Sequence, residues 1–286
     1  MSMRILVTGS KGRLGREIVA LCGTAYQVAG ADLPEVDVAD YQQIAAVVAE
    51  AQPDIVIHTA ANTNVDGCEL NPDLGWRNNA LATRNVALAC RQVDASLIYI
   101  STDFVFDGGK GAPYDEFDVP HPISVYGKTK LAGEYYVTQI APRFLIVRTA
   151  RLFGPHGHNF VKAILEQARK GERLRVVDDQ IGSPTFAPHL ARRILELAER
   201  ASVGICHVTN SGFCSWFEFA QRILETVGLE LPLEPISSSV LQRPAARPRF
   251  SALESQILRF DGYDSLPHWG EALKEYFAGA VVAVGS

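Results

Sequence analysis

Cysteine is sparse and unpatterned in this chain. Cys22, Cys68, Cys90, Cys206 and Cys214 are its five, and no two stand at Cys-x-x-Cys spacing. That argues against a disulfide frame or a zinc site and suits buried thiols in a reducing cytosol. Basic runs are also missing: no stretch strings together more than a few Lys or Arg, and the net charge is −5, so nucleic acid is not an expected partner. Long apolar runs are absent. The longest, near Ala278 to Val284, is too short to cross a bilayer. No secretory leader precedes the first strand-like run, and no internal repeat or low-complexity segment interrupts the chain. These absences predict a cytoplasmic protein without a membrane partner. Apolar residues make up 47% of the 286 positions and charged ones 21%, enough for one large α/β unit or a domain with a smaller lobe.

The run Arg4-Ile-Leu-Val-Thr8 reads as a buried strand. A turn with glycines at Gly9, Gly12 and Gly15 follows, and then a helical stretch from Arg16. Strand, glycine-rich turn, helix is the setting of a dinucleotide fingerprint, here spaced GxxGxxG. Gly9 permits the tight turn, Gly12 the approach of backbone to a pyrophosphate, and Gly15 close packing of helix on strand. The helix start offers N–H groups to phosphate. Gly9, Lys11, Gly12, Arg13, Leu14 and Gly15 are therefore the candidate cofactor turn. Asp32 ends the second strand, where a carboxylate bonds ribose hydroxyls and favours NAD. Lys11 and Arg13 place cations near a phosphate and argue for NADP, so the choice between NAD and NADP stays open. Asp37 and Val38 suit an adenine pocket or an exposed loop. The small residues Thr59-Ala60-Ala61-Asn62 after the third strand leave room for a flat cofactor.

Further strands are expected at Ile55 to His58, Leu97 to Ile100 and Phe144 to Arg148, with helices between them; one runs from Asn71 to about Val93. Short strands apolar on both faces, alternating with helices, predict a doubly wound parallel sheet. Ligands bind beyond the carboxyl ends of such strands, which puts the Thr102 hydroxyl where it would meet a substrate oxygen or serve the turn itself. Tyr126 and Lys130 stand four apart, on one face of a helix opened by Ser124. An ammonium beside a phenol lowers the phenol's pKa and fits it for proton transfer in carbonyl reduction. A surface helix with an ordinary Tyr and Lys would carry the same pair. Beyond Gly154 the rhythm changes. A smaller lobe is expected to close over the sheet edge, with a strand at Leu174 to Val177 and helices near 159–170, 186–200 and 216–227. Its loop Leu241 to Pro248 holds Arg243 and Arg247, which suit a diphosphate or a solvated loop. The expected division is a cofactor domain over 1–150, a return of the chain near 186–208, and a mainly substrate-binding lobe over 151–286.

The glycine turn, Thr102, Tyr126 and Lys130 fall in the order of the extended short-chain dehydrogenase/reductases, with a Rossmann sheet and a C-terminal substrate lobe. Ser-Thr-Asp-Phe-Val-Phe-Asp-Gly (101–108), Tyr-Gly-Lys-Thr-Lys-Leu-Ala-Gly-Glu (126–134), Arg-Thr-Ala-Arg-Leu-Phe-Gly (148–154), Asp-Gln-Ile-Gly-Ser-Pro-Thr (179–185) and Arg-Pro-Arg-Phe-Ser-Ala-Leu (247–253) resemble the dTDP-4-dehydrorhamnose reductases over nearly the whole chain. The resemblance implies NAD(P)H-dependent reduction of the 4-keto group of a nucleotide-linked 6-deoxysugar. It makes Tyr126 the proton donor, Lys130 the group that lowers its pKa and holds the nicotinamide ribose, and Thr102 the group that polarises the ketone. It has Ala60, Ala61, Thr63 and Asn79 line the cofactor or support the site. Two positions depart from the family on the substrate side: Phe104 stands for the usual Tyr and Arg151 for the usual Trp. Glu17 matches a carboxylate that some members set at a magnesium-bridged dimer contact; no metal is expected here, and a homodimer is an open expectation. An epimerase would use the same Tyr and Lys. A dehydratase would need a Glu where Phe104 stands. A non-catalytic NADP-binding subunit, like the regulatory subunit of methionine adenosyltransferase, is the rival outside the enzymes.

Overall fold

The computed structural model describes residues 2–171 and 173–284. Five strands follow the expected alternation: β1 (Arg4–Thr8), β2 (Gln27–Ala31), β3 (Ile55–His58), β4 (Ser96–Thr102) and β5 (Phe144–Thr149). With the strand Gly204–His207 they form one parallel sheet in the order Gly204–His207, β5, β4, β3, β1, β2. The order reverses at β1, which has β2 on one side and β3 on the other. Chain leaving β1 and β3 therefore diverges and opens a crevice at their carboxyl ends.

Both sheet faces are buried, and alternate residues of each strand serve alternate faces. Ile5, Val7, Ile55, Ile57, Ile98, Leu145 and Val147 pack under helices Arg13–Cys22 and Ala187–Glu199, through Leu14, Ile18, Leu190 and Ile194. Leu6, Val56, Leu97, Tyr99 and Ile146 pack on the other face against Ile44, Val48, Val86 and Val137 from helices Tyr41–Ala51, Ala82–Gln92 and Val125–Ile140. Each such side chain, fully buried, contributes roughly 1.5–3 kcal/mol. A separate core built on Phe153, Ile164, Leu174, Phe186, Phe219, Trp269 and Leu273 holds the smaller lobe. That lobe includes a parallel strand pair, Leu174–Val177 with Leu233–Ile236, and the closing helix Trp269–Val284.

The expected single helix after Asn71 is broken into three. Pro72–Gly75 and Ala82–Gln92 are α-helical, and Trp76–Leu81 between them is π-helical. The wider turn places Asn79 inward, only 1% exposed. There its side chain accepts from Asn62 N–H (2.7 Å) and donates to the Asn62 carbonyl (3.1 Å) and the Thr129 hydroxyl (3.0 Å). The π segment thus satisfies backbone beyond β3, a setting in which such segments recur. No helix among the described residues is long and apolar enough to cross a membrane.

Candidate active site

A groove of about 540 Å³ opens at the reversal point of the sheet. Gly9, Lys11, Gly12, Asp32, Asp37, Val38, Ala60 and Ala61 line it together. Gly9 has φ +72°, and a Cβ there would lie 2.6 Å from the Ala60 nitrogen, so the two loops meet backbone to backbone. A Cβ on Gly15 would stand 2.1 Å from the Gly9 carbonyl oxygen, so the helix seats directly on the turn. Gly12 caps that helix with no side-chain bond to its first N–H groups. Donors at a helix start, in a groove walled by glycine and alanine, fit the diphosphate of a dinucleotide.

The cations around the groove are paired with carboxylates, while Asp32 is held by backbone donors alone among the described residues. Asp32 accepts the Lys11 backbone N–H (2.7 Å) and the Leu33 N–H (2.8 Å). The Lys11 ammonium bonds Glu35 and the Leu33 carbonyl, and Asp37 pairs with Arg77 at 2.6 Å. Arg77 and Glu35 were not among the expected site residues; neither has a local motif. Other candidates lie outside the groove. Arg13 turns away, donating to the Leu152 and His158 carbonyls, so it ties the glycine turn to the segment after β5 and is not a cation facing the groove. The Leu14 side chain belongs to the core, Thr63 is exposed, and Asn79 acts through Asn62.

Beside the groove, β4 ends at Thr102, and helix Val125–Ile140 lies against it. Ser124 caps that helix by accepting the Gly127 N–H (3.2 Å). A buried ion pair, Arg148 to Glu134 at 2.7 Å, joins the helix to β5, and Ser101 donates to the same carboxylate at 2.5 Å. The helix is thereby fixed in rotation over the strand end. Tyr126 is 8% exposed, its ring edge-on to Phe104 at 5.8 Å. Lys130 is 2% exposed; its ammonium donates to the Ile100 carbonyl (2.7 Å) and lies 4.1 Å from the Tyr99 ring centroid. Burial holds Lys130 down at about 7, with Glu134 opposing. Burial pushes the Tyr126 phenol up, and the Thr102 side chain offsets only part of that rise. In this geometry the Lys130 ammonium is tied to β4, and desolvation sets the net upward direction of the Tyr126 phenol.

On the substrate side, a cavity of about 810 Å³ lies between helix Phe160–Arg169, the strand Leu174–Val177 and the loop through 237–249. Arg243 and Arg247 line it, but both point to one carboxylate. Asp66 accepts from Arg247 through both oxygens (2.9 Å each), from Arg243 (2.9 Å) and from the Ala245 N–H (3.2 Å). These bonds hold the Asp66 carboxyl at about 2. The diphosphate expectation for these two arginines meets guanidiniums that share one carboxylate, which leaves one of their two positive charges unbalanced. Arg175 and Arg249 line the same cavity and form no ion pair among the described residues. Arg151, at φ +43°, donates to the Cys214 (2.8 Å) and Gln180 (2.7 Å) carbonyls and stacks 4.1 Å over Trp216, which lines the cavity. It is a wall between the cavity and the Thr102 end. Glu17 faces His156 (3.5 Å) and Arg192, and no group of three or more metal-ligating side chains occurs among the described residues.

A parallel sheet reversing at β1, a glycine turn at its edge and a Thr, Tyr and Lys beyond β4 define an NAD(P)-dependent oxidoreductase of the short-chain dehydrogenase/reductase type. The chain belongs to the family described as the RmlD substrate binding domain, whose family model matches residues 3–281. It is similar to the dTDP-4-dehydrorhamnose reductase of Streptomyces griseus, 39% identical over 284 residues, covering 96% of this chain and 93% of that one. It is similar to the spore coat polysaccharide biosynthesis protein SpsK of Bacillus subtilis, 37% identical over 274 residues and 96% of each chain. The crystal structure of dTDP-4-dehydrorhamnose reductase from Bacillus anthracis in complex with NADP superimposes with a TM-score of 0.95 at 39% identity, covering 98% of this chain and all of that one.

Proposed function

We propose that this protein reduces the C4 ketone of a nucleotide-linked 6-deoxysugar with NAD(P)H, as a dTDP-4-dehydrorhamnose reductase does. The observation that carries the reading is a buried Tyr126 beside Thr102 at the carboxyl end of β4, next to the dinucleotide groove, in a chain similar from end to end to such reductases. Gly9, Gly12, Asp32, Ala60 and Ala61 would hold the dinucleotide, which supplies a hydride when bound. The half built on 1–150, with the return through 186–208, holds the cofactor. The rest of 151–286 holds the sugar nucleotide, with Arg249 and Arg175 facing its diphosphate.

This chain's residues handle the charge that the ketone oxygen gains. Thr102 donates a hydrogen bond to it, and Tyr126 transfers its phenolic proton to it. A buried phenol is a reluctant anion, so Tyr126 keeps its proton until the oxygen demands it. Lys130, pinned to Ile100, is the cation that stabilises the tyrosinate once the proton has left. Phe104 and Trp216 exclude water from the two ends.

The test follows absorbance of the reduced nicotinamide while dTDP-, UDP- and GDP-linked 4-keto-6-deoxy sugars are offered with NADH and NADPH. Steady oxidation with one sugar supports the reading, and tight cofactor binding without turnover on any of them overturns it. Tyr126→Phe is expected to lower kcat by about 10²-fold or more with cofactor affinity changed less than about twofold, because only the hydroxyl acts in the chemistry. A variant with near wild-type kcat removes Tyr126 as the donor.

A further inference from the structure

One buried acid beside the site has no part in the scheme above. Asp103 follows Thr102 in the turn after β4 and is 3% exposed. Its Oδ1 accepts from the Thr102 hydroxyl at 3.0 Å and its Oδ2 from the Ser251 hydroxyl at 2.5 Å. The Thr102 oxygen also accepts the Phe104 N–H at 3.2 Å. A hydroxyl has one proton to give, and an ionised carboxylate only accepts. While Asp103 is charged, the Thr102 proton points at Asp103 and none is left for a ketone. A neutral Asp103 has an O–H. With Ser251 donating to Oδ2, an O–H on Oδ1 would donate to the Thr102 Oγ1 and turn the Thr102 proton outward.

We infer that Asp103 is a positioning residue that sets the direction of the Thr102 hydrogen bond, and that its protonated form is the one that lets Thr102 polarise the ketone. The inference rests on the role proposed for Thr102.

The surroundings make this switch workable near neutral pH. Burial raises Asp103 to about 6, against the pull of Ser251, Arg151 and Thr102. Arg151 is the cation that bears on it from the segment after β5, and Tyr126 faces it from helix Val125–Ile140, where a charged Asp103 raises the phenol. The other charged groups nearby are engaged elsewhere: Lys130 with the Ile100 carbonyl, Arg148 with Glu134, and His207, held down at about 4 by burial, with the Tyr114 and Glu254 carbonyls. From the loop through 249–253, Ser251 reaches it. A charged Asp103 would also oppose negative charge on the ketone oxygen, so both effects favour the neutral form during reduction.

The experiment measures kcat at saturating substrate and cofactor from pH 5.5 to 8 for the wild type, Asp103→Asn, Thr102→Val and the double variant, with cofactor binding and melting as checks on folding. An Asn at 103 presents a permanent N–H donor to Thr102. The ratio of Asp103→Asn to wild-type kcat is therefore expected to rise about tenfold between pH 6 and 7.5, as wild-type Asp103 ionises. Titration of Lys130 is common to both proteins and cancels in the ratio. In the Thr102→Val background the same Asn substitution should no longer reshape the profile. Parallel profiles for the wild type and Asp103→Asn overturn the inference, as does an effect that survives in Thr102→Val. Undiminished kcat in Thr102→Val instead overturns the proposed role of Thr102. Should Asp103→Asn fail to fold, Ser251→Ala serves. It removes a bond to the ionised form and should move the alkaline fall in kcat to higher pH; an unmoved fall overturns the inference.

Discussion

The dinucleotide groove and the 810 Å³ cavity are built by opposite means. The groove is made of backbone: a left-handed Gly9, an uncapped helix start and the alanines after β3. The cavity is made of side chains brought from far apart, with Asp66 gripping arginines 177 and 181 residues away and Arg151 lying on Trp216. A backbone site tolerates almost no added atom at its closest approach but is indifferent to side-chain chemistry around it. A side-chain site should tolerate small steric changes and respond to charge.

The sharpest way to break that contrast is Gly9→Ala. The new methyl would meet the Ala60 backbone at 2.6–2.8 Å and the Thr59 Oγ1 at 2.8 Å, and sit at φ +72°. We expect a loss of about 1–3 kcal/mol of stability and more than about tenfold in cofactor affinity. Calorimetric titration with NADH and NADPH measures it. A variant that binds either cofactor like the wild type would show that the loops can part and that the groove is not backbone-limited.

A smaller effect, in the other region, is expected from Asp66→Asn. The substitution keeps shape and removes the charge that holds Arg243, Arg247 and the Ala245 N–H. If Asp66 pre-organises this wall of the cavity, KM for the nucleotide sugar rises about five- to tenfold while cofactor affinity stays constant. A fall in KM would mean that Asp66 competes with the substrate's diphosphate for these arginines. The effect should be flat from pH 4 to 9, because the carboxyl is already held at about 2.

The same contrast explains what could be read from residue order. β1 to β5 and the glycine turn are local: apolar β-branched runs and a glycine demand declare themselves within a few residues. Tyr126 and Lys130 could be paired from their spacing, but their electrostatics could not, since the Ile100 carbonyl that captures Lys130 belongs to another strand. The π segment at Trp76–Leu81 was hidden because it answers a backbone demand at Asn62. Arg13 read as a phosphate cation because it lies in the turn, and only the folded chain shows the Leu152 and His158 carbonyls that take it. Asp66 and Arg77 carry no motif at all; only the fold brings Asp66 to the arginines of the cavity and Arg77 to the groove.

The smallest effect tests whether the groove has one side-chain exception. Asp32 ends β2 with its carboxylate fixed at both oxygens, by the Lys11 and Leu33 N–H groups. Glu35 and Asp37 lie close by, and the cations Lys11 and Arg77 are spent on them. A 2′-phosphate would therefore meet carboxylates whose charge is only partly answered, while a ribose hydroxyl would find an acceptor. Asp32→Ala removes one charge but also releases two turn N–H groups, so affinity for both cofactors should drop. The discriminating quantity is the ratio of kcat/KM for NADPH over NADH. We expect it to rise about three- to tenfold, the equivalent of roughly 1 kcal/mol of relieved repulsion at a solvent-exposed site. An unchanged ratio would take cofactor choice away from Asp32 and leave it to the Lys11–Glu35 pair, where Glu35→Gln would then free an ammonium for the phosphate.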